Sequence, residues 1–66
     1  MNNATTPDPK EVVLQRVKHA ADHGSNAECF SFQLSRHLIA AADELVANGK
    51  LKFDHESQSA RWYGLP

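Results

Sequence analysis

The sequence predicts a small α+β domain made of a helix, a short helix or strand, a second helix and a C-terminal β-hairpin. Three observations carry this. An apolar stretch at helical spacing (Leu38, Ile39, Ala42, Leu45 and Val46) stops at Asn48-Gly49. Two short arms follow, Lys50-Leu51-Lys52-Phe53 and Ala60-Arg61-Trp62-Tyr63, around a polar tip from Asp54 to Ser59. Upstream, Val13, Leu14, Val17, Ala20 and Ala21 also recur at helical spacing and supply a face to cover that helix.

Size sets the first constraint. A chain of 66 residues forms one domain and buries only about 60% of its unfolded surface, so it is either marginal or completed by a partner. Its hydrophobic fraction of 41% excludes a disordered chain, although much of it is alanine. No run approaches the roughly 18–20 apolar residues that a membrane span needs. Met1 to Thr6 lack the basic and apolar regions of a signal peptide, and the one cysteine, Cys29, excludes an internal disulfide. Both features fit a cytoplasmic protein. With a net charge of −1 and a pI near 6.4, the chain lacks the overall basic character of a dedicated nucleic-acid binder. Any DNA contact must therefore come from the placement of its cations.

In chain order, residues 1–7 read as a disordered tail, leaving 8–66 as the domain. Asp8-Pro9-Lys10-Glu11 is a helix start, with Asp8 as N-cap, Pro9 at the first helical position and Glu11 where a capping-box partner belongs. Gly24 ends this helix, which spans about 9–23. The stretch from Ser25 to Leu34 reads two ways. Ser25-Asn26-Ala27-Glu28 is a second capping-box pattern, whereas Phe30-Ser31-Phe32-Gln33-Leu34 alternates like a half-buried strand. Ser35 then caps the helix that runs to Asn48, and Gly49 stops it. Arg36, Ala40, Asp43 and Ala47 fall on the face opposite its apolar arc. On the hairpin, alternation turns Leu51, Phe53 and Trp62 inward and Lys50, Lys52, Arg61 and Tyr63 outward.

The residues Ala41 to Leu51 resemble the end of a recognition helix in the winged-helix superfamily. There, Leu45-Val46-Ala47-Asn48-Gly49-Lys50-Leu51 matches a Leu-x-x-x-Gly-x-Leu lead into the wing. Arg61-Trp62-Tyr63 stands where the second wing strand returns, and the likeness spans roughly residues 9–64. The interval between Gly24 and Ser35 is short for a full second helix plus a turn. The resemblance implies a small transcription-regulatory protein that binds double-stranded DNA as a homodimer. Ser35, Arg36 and His37 would enter the major groove, while Lys50, Lys52, Arg61 and Tyr63 would lie on phosphates. The alternative is a protein-interaction module, an adaptor or inhibitor that keeps the fold without DNA binding. Val12, on the side of the first helix away from its core face, and Phe30, Phe32 and Ile39, beyond what a small core absorbs, would form that interface; the alternative is that the two phenylalanines and Trp62 simply are the core.

Other chemistry is weakly represented. His19 and His23 stand one helical turn apart, but no second paired ligand motif accompanies them, and they read as solvated side chains. Cys29 lies between Glu28 and Phe30, which offer no field to stabilise a thiolate, and reads as a small buried thiol rather than a nucleophile. The expectation is a non-enzyme with no metal, no cofactor, no small-molecule substrate and no membrane contact.

Overall fold

The computed structural model describes residues 8–66. The expected tail, residues 1–7, lies outside them. Elements follow in the order α1 (Pro9–Asp22), β1 (Glu28–Ser31), α2 (Arg36–Ala47), β2 (Lys52–Glu56) and β3 (Ala60–Gly64). The strands form one antiparallel sheet ordered β1-β3-β2, so the α+β class holds. Among the described residues, two helices are present, and a turn at Phe32–Leu34 stands where a further helix would precede α2.

Helix starts and stops follow local chemistry. The Asp8 carboxylate accepts from the Lys10 backbone N–H at 2.9 Å, and Pro9 occupies the first turn, where its missing N–H costs nothing. Both helices end the same way. Gly24 and Gly49 take positive φ, +86° and +77°. Ser25 N–H then donates to the Ala20 carbonyl and Lys50 N–H to the Leu45 carbonyl, each at 2.9 Å. This is the Schellman closure, and a side chain with a Cβ is strained at its left-handed position.

The ambiguous stretch resolves as a strand. Glu28, a candidate capping residue, is held instead by Arg16 of α1, whose Nη2 lies 2.9 Å from Glu28 Oε2. Phe30 is fully buried and Cys29 is exposed, as period-two alternation requires. The Ser31 hydroxyl then accepts from the backbone N–H groups of Gln33 and Leu34, both at 3.1 Å, which forms the turn into α2. Ser35 sits at the N-cap position, but its side chain makes no capping bond.

The hairpin is present with its arms shifted. Strand β2 begins at Lys52 and runs to Glu56, so the tip is shorter than the polar run suggested. A bulge at Asp54 breaks the pairing between Phe53↔Tyr63 and His55↔Trp62. The inward and outward residues of β3 are the reverse of the expectation. Tyr63 is 0% exposed, edge-on to Phe30 and Phe53 with ring centroids 5.8 Å away in each case. Trp62 is half-buried on the far face, where it stacks on His55 at 4.4 Å. The reason is polar: Tyr63 has a hydroxyl that reaches a carboxylate on α2, so it can enter the core without an unsatisfied group. Phe53 remains 42% exposed because β2 is an edge strand.

The core joins Val13 and Val17 of α1 to Leu38, Ile39, Ala41, Ala42 and Leu45 of α2, closed by Phe30, Leu51 and Tyr63. Ala21, expected on the core face of α1, is exposed. The loop after α1 lies tightly on the end of β3. A Cβ on Gly64 would come within 2.6 Å of the Asn26 carbonyl oxygen.

Two stability outcomes follow from this packing. Tyr63→Ala should cost about 3–5 kcal/mol, the range for truncating a buried large aromatic, and Trp62→Ala clearly less, as measured by urea unfolding. Gly64→Ala should cost about 1–3 kcal/mol because backbone must move to admit the methyl group.

Candidate interaction surface

The residues expected to meet DNA do not form one surface. Arg36 and His37 are exposed on the first turn of α2. Lys50 and Lys52 are exposed beyond its other end, and twelve helical residues separate the two groups by about 18 Å. Ser35 is buried, which corrects its assignment to a groove-reading position. Tyr63 is likewise buried and is no part of an outward stripe.

Arg61 is committed to protein carboxylates. Its Nη1 lies 3.4 Å from Asp43 Oδ2 of α2, and its Nε lies 3.3 Å from Glu56 Oε1 of β2. The Nε contact is out of line, so Arg61 Nε makes no hydrogen bond. The guanidinium also lies over the Phe53 ring at 4.7 Å and near the Tyr63 ring at 5.6 Å. Next to it, the Tyr63 hydroxyl donates to Asp43 Oδ1 at 2.5 Å. One carboxylate of α2 thus holds two residues of the central strand.

Other cations are also engaged. Lys10 Nζ lies 3.4 Å from Glu44 Oε1, joining the start of α1 to the exposed face of α2. Arg16 pairs with Glu28, donates to the Cys29 carbonyl oxygen at 3.1 Å and covers the Phe30 ring at 4.4 Å. Among the described residues Lys18, Arg36, Lys50 and Lys52 have no carboxylate partner. The exposed face of α2 carries Arg36 and His37 in its first half and Asp43 and Glu44 in its second. Comparison with protein families, curated proteins and solved structures gave no match.

The expected apolar interface is mostly core. Phe30 and Ile39 are buried, and Val12 and Phe32 are half-buried against the core cluster. Among the described residues, the large apolar side chain most open to solvent is Leu34, at 80% exposure, on the turn fixed by the Ser31 hydroxyl. Leu34 continues the alternation of Phe30 and Phe32, so sequence pattern alone gave no sign that the chain turns away before it.

His19 and His23 lie with ring centroids 4.1 Å apart and their planes tilted by 36°, and His23 Nδ1–H donates to the His19 carbonyl oxygen at 2.8 Å. Among the described residues no group of three or more His, Cys, Asp or Glu is placed to hold a metal ion. Cys29 is exposed on the outer sheet face, not buried as expected, and its register partner there is Trp62. A cleft of about 440 Å³ lies between the end of α1 and the start of β2, lined by Val17, Ser25, Asn26, Lys52, Asp54 and Leu65. Neither histidine nor cysteine lines it.

The buried phenol gives a pH-dependent readout. Burial, then the hydrogen bond and the charge of Asp43, push Tyr63 far above its ordinary value near 10, and Arg61 opposes this only in part. A group raised on folding supports stability fully below its unfolded value, and that support is lost as pH climbs beyond about 10. The chain has one tyrosine, so tyrosinate absorbance reports it alone. Ionisation should coincide with loss of helical circular dichroism, and Tyr63→Phe should flatten the alkaline loss of stability.

Proposed function

We propose that this domain is a non-catalytic protein-interaction module built on a winged-helix type of architecture. Support for the architecture is the β1-β3-β2 sheet and the passage from α2 through Gly49 into the hairpin. The Phe32–Leu34 turn takes the place of the helix that would complete a helix-turn-helix. One observation carries the functional reading: Asp43 and Glu44 lie on the exposed face of α2, the helix that would approach a phosphate backbone. They would repel it, while the hairpin cation Arg61 is held by Asp43 and Glu56. A surface of mixed sign with Leu34 projecting from a fixed turn suits a protein partner better than a polyanion.

A second reading, a DNA-binding regulator, is favoured by Arg36, His37, Lys50 and Lys52 being exposed without carboxylate partners among the described residues. One titration separates the two. Fluorescence anisotropy with a labelled mixed-sequence duplex at low salt should show no saturable binding. Saturable binding whose log–log salt slope is about −0.9 per neutralised phosphate, and which Arg36→Ala/Lys50→Ala/Lys52→Ala abolishes, would replace the protein reading by the DNA one.

A further inference from the structure

The end of α1 carries two histidines that neither the core nor the exposed face of α2 uses. His19 and His23 stand one helical turn apart, which sets one above the other on the same side of the helix. Both are exposed, and their ring centroids lie 4.1 Å apart. One of the two rings is already oriented. His23 Nδ1 sits 2.8 Å from the His19 carbonyl oxygen, and a carbonyl only accepts, so Nδ1 carries the proton. In the neutral ring this leaves the lone pair on Nε2, directed away from the backbone. Metal-bound histidines are held in the same way, with one ring N–H on a carbonyl oxygen and the other nitrogen on the ion.

We infer that His19 and His23 form a two-point clamp for one divalent cation of the nickel, copper and zinc group, with water in the remaining coordination positions. Ligand chemistry selects that group, because imidazole suits these ions whereas magnesium and calcium take oxygen ligands. An ion about 2.0–2.1 Å from each nitrogen joins nitrogens up to about 4 Å apart. Rings at the observed separation reach one ion by turning, without any movement of the backbone. The planes are tilted by 36°, and the turn falls to His19, whose exposed ring makes no hydrogen bond among the described residues. Charge also favours a cation here. A helix C-terminus carries partial negative charge, and the exposed carboxylate of Asp22 stands next to His23. Of the nearby cations, Arg16 is committed to Glu28, and Lys18 lies on an adjoining side of the helix. Two protein ligands are fewer than a structural site uses, so the ion is exchangeable and held more weakly than in a closed four-ligand site.

The test uses the full chain and Ni2+ alone, an ion that does not oxidise the exposed thiol of Cys29. Isothermal titration calorimetry should show one saturable site. The unfolding midpoint should rise with Ni2+ concentration, because only the folded helix holds the pair in register. His19→Ala and His23→Ala should each weaken binding at least about tenfold, since the second contact of a chelate is intramolecular. Both positions are exposed, so circular dichroism should show the helices intact. His37→Ala and His55→Ala should leave binding unchanged. A variant that moves one histidine while keeping their number, Lys18→His/His19→Ala, should bind no better than His19→Ala, because positions 18 and 23 lie about 140° apart around a helix. Paramagnetic broadening should fall first on the imidazole signals of His19 and His23. Non-saturable binding overturns the clamp, as does equal loss from all four single variants. Full binding by the relocated pair, or broadening centred on His37 or His55, overturns it too.

Discussion

The carboxylate of Asp43 joins the two halves of the molecule. It accepts from the Tyr63 hydroxyl with one oxygen and faces the Arg61 guanidinium with the other, so α2 and the central strand are fixed by a single side chain. The position matters because β3 is the strand to which both β1 and β2 pair. Whatever anchors β3 to α2 anchors the sheet. The apolar contacts of Tyr63 with Phe30 and Phe53 add area and little direction, whereas the hydroxyl bond sets which face of β3 turns inward.

That anchoring also determines the surface. By drawing Arg61 onto Asp43 and Glu56, the fold removes a cation from the hairpin that a phosphate-gripping wing would use. Arg16 and Lys10 are similarly placed, each stitching α1 to a neighbouring element through a carboxylate. Such partly exposed pairs contribute little stability individually. Among the described residues they leave a surface on which both signs are interspersed and the unpaired cations Arg36, Lys50 and Lys52 are not joined by Arg61. Long-range attraction of nucleic acid needs a continuous basic track.

Sequence reasoning reached the parts governed by local rules. Both long helices were legible because Asp8-Pro9, Gly24 and Gly49 mark their ends by backbone chemistry that depends on nothing distant. The hairpin was legible for the same reason. What escaped was set by contacts between elements. Alternation places Trp62 and Tyr63 on opposite faces without saying which faces the core, and Asp43 decides that from twenty residues away in the chain. The choice between helix and strand for Ser25 to Leu34 was open because Glu28 suits a helix start equally well; Arg16 settles it. Two of the groove-facing and phosphate-facing assignments failed through burial, at Ser35 and Tyr63. Two of the interface assignments, Phe30 and Ile39, failed because the small core absorbs more apolar volume than its length suggests.

The border of β1 shows how the domain avoids growing. Its outward carbonyls at Cys29 and Ser31 already accept a bond each, one from Arg16 and the other from the Ser35 N–H, so an approaching peptide meets an edge that is partly engaged. On the opposite border, the irregularity at Asp54 and the charges of Lys52 and Glu56 spoil the flat ribbon that strand addition demands. A three-stranded sheet with its rims engaged or charged in this way is a poorer template for strand addition than a bare flat edge, even though it presents an indole on its open side.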